Sequence, residues 1–171
     1  YRVILGGGIN IPSKNTLFKS PFIEVNNAHE PHRHFSMSKG TYNTISEIQL
    51  YYKQSANPVF IGGNVSYEKP IAENEYYHTP QTSLKSVFSV IYKRFDKLDG
   101  SLDLSFGIES LSEEYWNGVP SPNSSALILT PSIGYLFSTE KGAIGINIQR
   151  PIFVEGSFSA YAGDMNQGTS V

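Results

Sequence analysis

With 171 residues the chain has room for one domain, 1–171, and its formal net charge of -2 argues against a nucleic-acid partner. The absence of cysteine excludes a disulfide framework and a thiolate metal site. No apolar run approaches the roughly 18 residues of a membrane-spanning helix. Fifteen Gly, ten Pro, eleven Tyr and ten Phe fit an all-β chain. The tyrosine excess also fits the aromatic girdles of a membrane barrel, whose amphipathic strands need no such run. The chain opens inside a strand-like pattern with no initiator Met or signal segment and stops just after Gly168 and Thr169. Material is therefore expected to be missing at both ends.

The first strand is expected over 1–12. Tyr1, Val3, Leu5, Ile9 and Ile11 share one parity, and Arg2, Ile4, Gly6, Gly8 and Asn10 share the other. Side chains of a strand alternate between faces, so parity is a prediction of face. Gly6, Gly7 and Gly8 permit close backbone approach, but no Lys-Ser/Thr and helix follow to make a phosphate loop. Residues 13–41 are polar, aperiodic and proline-punctuated, which predicts a long functional or disordered loop. A second strand over 42–54 sets Thr44, Ile48, Leu50 and Tyr52 against Glu47, Gln49 and Lys53. A third over 59–68 sets Val59, Ile61, Val65 and Tyr67 against Phe60, Gly62, Asn64, Ser66 and Glu68.

After a polar loop over 69–81, a fourth strand over 82–95 has Leu84, Phe88, Val90 and Tyr92 on one face. Its other face mixes Lys85, Ser89 and Lys93 with Val87 and Ile91, the weakest alternation in the chain. The fifth strand, 101–111, alternates most cleanly: Leu102, Leu104, Phe106 and Ile108 against Asp103, Ser105, Gly107 and Glu109. Residues 113–125 form a third polar loop, with the single Trp, Trp116. A sixth strand over 126–138 contains Pro131, which predicts a bulge or bend. A seventh over 143–153 sets Ile144, Ile146, Ile148 and Ile152 against Gly145, Asn147 and Gln149.

The connections alternate in length. Those at 55–58, 96–100 and 139–142 are short, and those at 13–41, 69–81, 113–125 and after 153 are long. Short turns at one rim and long loops at the other are the habit of outer-membrane barrels, and a soluble barrel or sandwich has no physical need of it. Strands of about ten to fourteen residues suffice for a tilted crossing, which takes roughly 9–11. Tyr1, Tyr52, Tyr67, Tyr92, Tyr135 and Phe137 lie near strand ends on the apolar parity, where girdles belong.

Val119-Pro120 to Ser125, then Leu127-Ile128-Leu129-Thr130-Pro131-Ser132-Ile133-Gly134-Tyr135, then Ile146-Asn147-Ile148-Gln149-Arg150-Pro151-Ile152-Phe153, resemble the closing strands of an outer-membrane family. That family is described as transporters or as meta-pathway phenol-degradation-like barrels. Gly6-Gly7-Gly8-Ile9-Asn10-Ile11-Pro12 resembles its opening strand, and the His-containing loop ending in Gly40-Thr41 resembles its entry to the next. The final strand with a terminal aromatic is lacking. The resemblance implies an outer-membrane barrel passing small compounds, apolar ones included, and it carries no catalytic residues.

Three histidines, His29, His32 and His34, with Glu24 and Glu30 nearby, could converge on a divalent metal such as Zn, Cu or Ni; the alternative is a solvated loop. His78 could join them from the next long loop. Without an H-E-x-x-H helix, a G-x-S-x-G elbow or a close carboxylate pair, no enzyme is expected. The expected fold is an all-β, up-and-down antiparallel transmembrane β-barrel, seven strands of a larger even-numbered one. Its lumen would be lined by Arg2, Asn10, Glu47, Gln49, Lys53, Asn64, Glu68, Lys85, Asp103, Glu109, Asn147 and Gln149. The expected role is passage or uptake of small molecules in a bacterial outer membrane, with the lipid bilayer and a small-molecule solute as partners and no cofactor. The alternatives are a scaffold barrel whose long loops bind a partner protein or a metal, and a soluble ligand-binding barrel with Leu102, Leu104, Phe106 and Ile108 facing inward.

Overall fold

The structure is a computed structural model that describes residues 1–13, 16, 38–93, 100–139 and 142–156. The described residues form eleven strands: β1 (Arg2–Asn10), β2 (Asn43–Lys53), β3 (Val59–Pro70), β4 (His78–Thr79), β5 (Ser83–Tyr92), β6 (Gly100–Leu111), β7 (Tyr115–Trp116), β8 (Val119–Pro120), β9 (Ala126–Thr139), β10 (Gly142–Gln149) and β11 (Ile152–Glu155). The long ones form a single antiparallel meander in the order β1-β2-β3-β5-β6-β9-β10, with β11 continuing β10 along the same edge of β9. The all-β expectation therefore stands, with strands at the seven expected positions, the seventh in two pieces. Among the described residues no pairing joins β1 to β10, so the sheet is open at both edges. Both edge strands run toward the end that carries the long connections.

Unbroken register places the parities as the alternation demands. Leu5 faces Ile48, Ile48 faces Val65, Val65 faces Ser86, Ser86 faces Ile108, Ile108 faces Leu129, and Leu129 faces Ile152. One face thus collects most of the aliphatic and aromatic side chains. The other collects Gly, Ser, amides and charges, interleaved with Ile4, Ile45, Tyr51, Phe60, Ile128 and Leu136. Glycine and serine at Gly6, Gly62, Ser66, Ser105, Gly107, Ser132 and Gly134 leave room on that polar face for neighbouring strands to bring it together.

Exposure is the reverse of a soluble sheet. Along β2 and β6 the polar-parity residues except Lys53 are half-buried while Ile48, Leu50, Leu104, Phe106 and Ile108 are exposed. Phe106 is 40% exposed and Leu50 55%. Trp116, in β7, is the single buried hydrophobic among the described residues. Leu102 departs from its row: it is half-buried between its register partners Tyr92 and Tyr135. The strand β5, whose alternation is poorest, puts Val87 and Ile91 on the polar face.

Three local expectations change. The polar loops at 69–81 and 113–125 carry short strands, β4, β7 and β8, which form a second sheet in the order β4-β7-β8. The predicted seventh strand is interrupted at Arg150 and Pro151, which divide β10 from β11. Pro131 causes no bulge against β6, where pairing runs without a shift from Gly100–Phe137 to Leu111–Ala126. It sits opposite the Arg150–Pro151 break, where Arg150 N–H donates to its carbonyl at 3.1 Å. Residues of an antiparallel strand send N–H and C=O to the same side. The proline's missing N–H therefore falls in the gap between β10 and β11, and the irregularity appears in β11, between Phe153 and Glu155.

Candidate functional site

The polar face is a set of cross-strand rows. In one row Gly6, Glu47, Ser66, Lys85 and Glu109 follow one another across five strands. Lys85 Nζ lies 2.9 Å from Glu109 Oε1 and closes the row with an ion pair. Both groups are partly solvated, so the pair fixes position more than it stabilises. Glu47 Oε1 accepts from Gln49 Nε2 at 2.7 Å, and Gln49 Oε1 accepts from the Tyr51 hydroxyl at 3.0 Å. The Tyr51 ring lies over Gly62, where a Cβ would come within 2.6 Å of it, and stacks on Phe60 at 5.6 Å.

Glu68 stitches three strands. Its Oε1 accepts from Asn10 Nδ2 at 2.9 Å and from Asn43 Nδ2 at 2.7 Å, and Asn43 Oδ1 accepts from Thr41 Oγ1 at 2.8 Å. Asn147 Oδ1 accepts from Ser132 Oγ at 3.0 Å, beside Gly134. Asp103 Oδ1 is buried with no hydrogen-bond partner. Arg2, Lys53 and Lys93 lie at the short-turn end of this face. Every residue expected to line a lumen falls on this one face: Arg2, Asn10, Glu47, Gln49, Lys53, Asn64, Glu68, Lys85, Asp103, Glu109, Asn147 and Gln149.

At the opposite end the long connections build a platform with its own small core. His78 is 2% exposed and stacks on Trp116 with centroids 4.3 Å apart. Its Nε2 lies 3.5 Å from Glu114 Oε2, ion-pair distance for a protonated ring but outside hydrogen-bond geometry. Asn74 is the hinge pin of this platform. Its Oδ1 accepts from the backbone N–H of Tyr76 and of His78, and its Nδ2 donates to the Lys39 carbonyl at 3.1 Å. Gly40, at φ +76°, lets Asn74 come this close, since a Cβ there would sit 2.9 Å from Asn74 Nδ2.

Tyr77 adopts φ 58°, a left-handed conformation unusual for a bulky residue. It is held between Asn74 O, to which its N–H donates, and Asn117 N–H, which its carbonyl accepts. Two tyrosines on the platform lie beside glutamates. The Tyr115 hydroxyl donates to Glu113 Oε2 at 3.2 Å, which together with that carboxylate's charge and slight burial raises the phenol above the ordinary tyrosine range. Glu75 does the same to Tyr76.

His78 is enclosed by Trp116 and Glu114 rather than displayed toward a metal, and among the described residues no group of three His, Asp or Glu could hold one. His29, His32 and His34 lie outside the described residues. Sequence reasoning missed the His78–Trp116–Glu114 cluster because two-residue strands leave no periodicity. The signal available was a lone Trp and a His in two successive long loops. Tyr1, Tyr52, Tyr92, Tyr135 and Phe137 do gather at the short-turn end of the apolar face, with Tyr135 and Phe137 in contact at 4.5 Å; Tyr67 stands toward the other end. No protein-family model, curated protein or solved structure matches the chain.

Proposed function

We propose that the chain forms part of the wall of a transmembrane β-barrel in a bacterial outer membrane and lets small molecules pass along its polar face. One observation carries this reading: along the central strands β2, β3 and β6 the large apolar side chains are the exposed ones and the polar-face residues the half-buried ones. A contiguous apolar surface of this extent in water would be an association hazard, whereas in lipid it is the requirement. The aromatic row at the short-turn end and the segregation of long connections to the other end support the same orientation. A wall in lipid cannot leave β1 and β10 unpaired, because bare N–H and C=O groups have no partner there. Since those two edges run the same way, antiparallel closure takes an odd number of further strands between them.

In the proposed barrel the expected lumen residues of the polar face line water, the bilayer is the partner of the apolar face, and a small molecule is the solute. Purified protein should enter detergent micelles and liposomes and stay out of detergent-free buffer. A chain that remains monodisperse without detergent overturns the membrane reading. Single-channel current in a planar bilayer tests passage. The platform built on His78, Trp116 and Asn74 favours, as a second reading, a scaffold barrel that presents its long connections to a partner protein. Folded, inserted protein that carries no current supports that one.

A further inference from the structure

The charges on the described residues are unevenly placed along the strands. At the short-turn end of the polar face stand Arg2, the first residue of β1, Lys53, the last of β2, and Lys93, just past β5. Asp103 is the acid on that side. Glu68 and Glu109 stand near the long-connection end, with Glu47 at mid-strand. Of these, Glu109 is neutralised by Lys85. Beyond the strands, residues 71–82 and 112–125 contribute Glu73, Glu75, Glu113 and Glu114 and no Lys or Arg. Glu155 ends β11 on the same side; Lys39 and Lys69 are bases there, and Arg150 stands between β10 and β11, level with Pro131. The described long-connection end is net acidic and the short-turn end of the polar face is net basic.

We infer that the pore carries an axial charge separation that makes it rectify: ions pass more easily when the long-connection side is held positive. This rests on the proposed pore. The acidic end gathers cations from its bath and the basic end gathers anions from the other, because a low-dielectric wall focuses the field of its charges. With the long-connection side positive, both populations are driven inward and meet between the ends, so the pore fills with carriers. With the polarity reversed both are drawn out, and the middle is depleted. Solutes bearing an ammonium group enter preferentially from the long-connection side by the same attraction.

The effect depends on screening. At 0.1 M salt the Debye length is about 10 Å, comparable with a pore radius, and at 1 M it falls to about 3 Å. The test is the current–voltage curve of the inserted full chain in KCl, with its orientation fixed by one-sided addition and checked by protease access to the long connections. An asymmetric curve at 0.1 M that becomes symmetric at 1 M is expected. Glu73→Gln combined with Glu75→Gln and Glu113→Gln, and separately Arg2→Gln with Lys53→Gln, should each reduce the asymmetry. Two independent sets keep the test decisive if one fails to insert. A symmetric curve at 0.1 M, or asymmetry indifferent to salt and to both sets, overturns the inference and leaves the pore standing. No current at all from inserted protein overturns the pore reading and this inference with it.

Discussion

Single side chains decide how the platform and the polar face hold together. Trp116 fills the centre of the platform against His78, and truncating a buried aromatic residue typically costs about 3–5 kcal/mol. Because the main sheet does not lean on it, Trp116→Ala should open the long connections to limited proteolysis while the far-UV strand signal stays unchanged. Loss of both together would show that the platform is not a separate unit. Tyr115 makes a pH prediction. Its phenol titrates above the ordinary value of 10.0 because ionisation breaks its bond to Glu113 and sets two negative charges side by side. A raised folded value means that this bond's contribution is whole below the unfolded value and is lost as pH rises through the folded one. Ultraviolet titration should therefore show a late-ionising tyrosine that Glu113→Gln moves back toward 10.0; no change in that variant would contradict the assignment.

Individual strands show what could be read from the sequence and what could not. In β2, β3 and β6 each residue's face followed from alternation alone, since a period of two leaves a half-sided strand one choice. Which residues then meet across strands, such as Lys85 with Glu109 or Glu68 with Asn10 and Asn43, depends on register, which is set by turns and loops and is not written in any single strand. The two-residue strands β4, β7 and β8 have no period to detect, and Pro151 hid inside an otherwise regular run of isoleucines. The face assignment also makes an energetic forecast. A lysine or arginine on the lipid side of a membrane barrel costs about 2–4 kcal/mol at the midplane. Phe106→Arg should lower unfolding stability in lipid by that order, and Ser105→Arg, one residue away on the polar face, should cost far less unless it crowds Ser132, its partner in register. Equal costs at the two positions would break the account.

At the scale of the whole molecule, a sheet whose described residues form no apolar core has to find its stabilising environment outside itself. The described residues bury one hydrophobic side chain and expose a continuous aliphatic face bounded by tyrosines at the short-turn end. In water this arrangement would have neither the hydrophobic burial that drives folding nor protection for its two free edges. In a bilayer the apolar face is solvated by lipid, and pairing of β1 and β10 with further strands satisfies the edges. The central claim is thus a claim about which face meets lipid, and β6 is the place to measure it. Single cysteines placed from Leu102 to Glu109 in the otherwise cysteine-free chain, spin-labelled in liposomes, report accessibility to oxygen, which partitions into lipid, and to a water-soluble nickel complex. The account predicts oxygen maxima at Leu104, Phe106 and Ile108 alternating with nickel maxima at Asp103, Ser105 and Glu109. An inverted alternation, or labels at Leu104, Phe106 and Ile108 reached by neither probe as in a dry protein core, would contradict it.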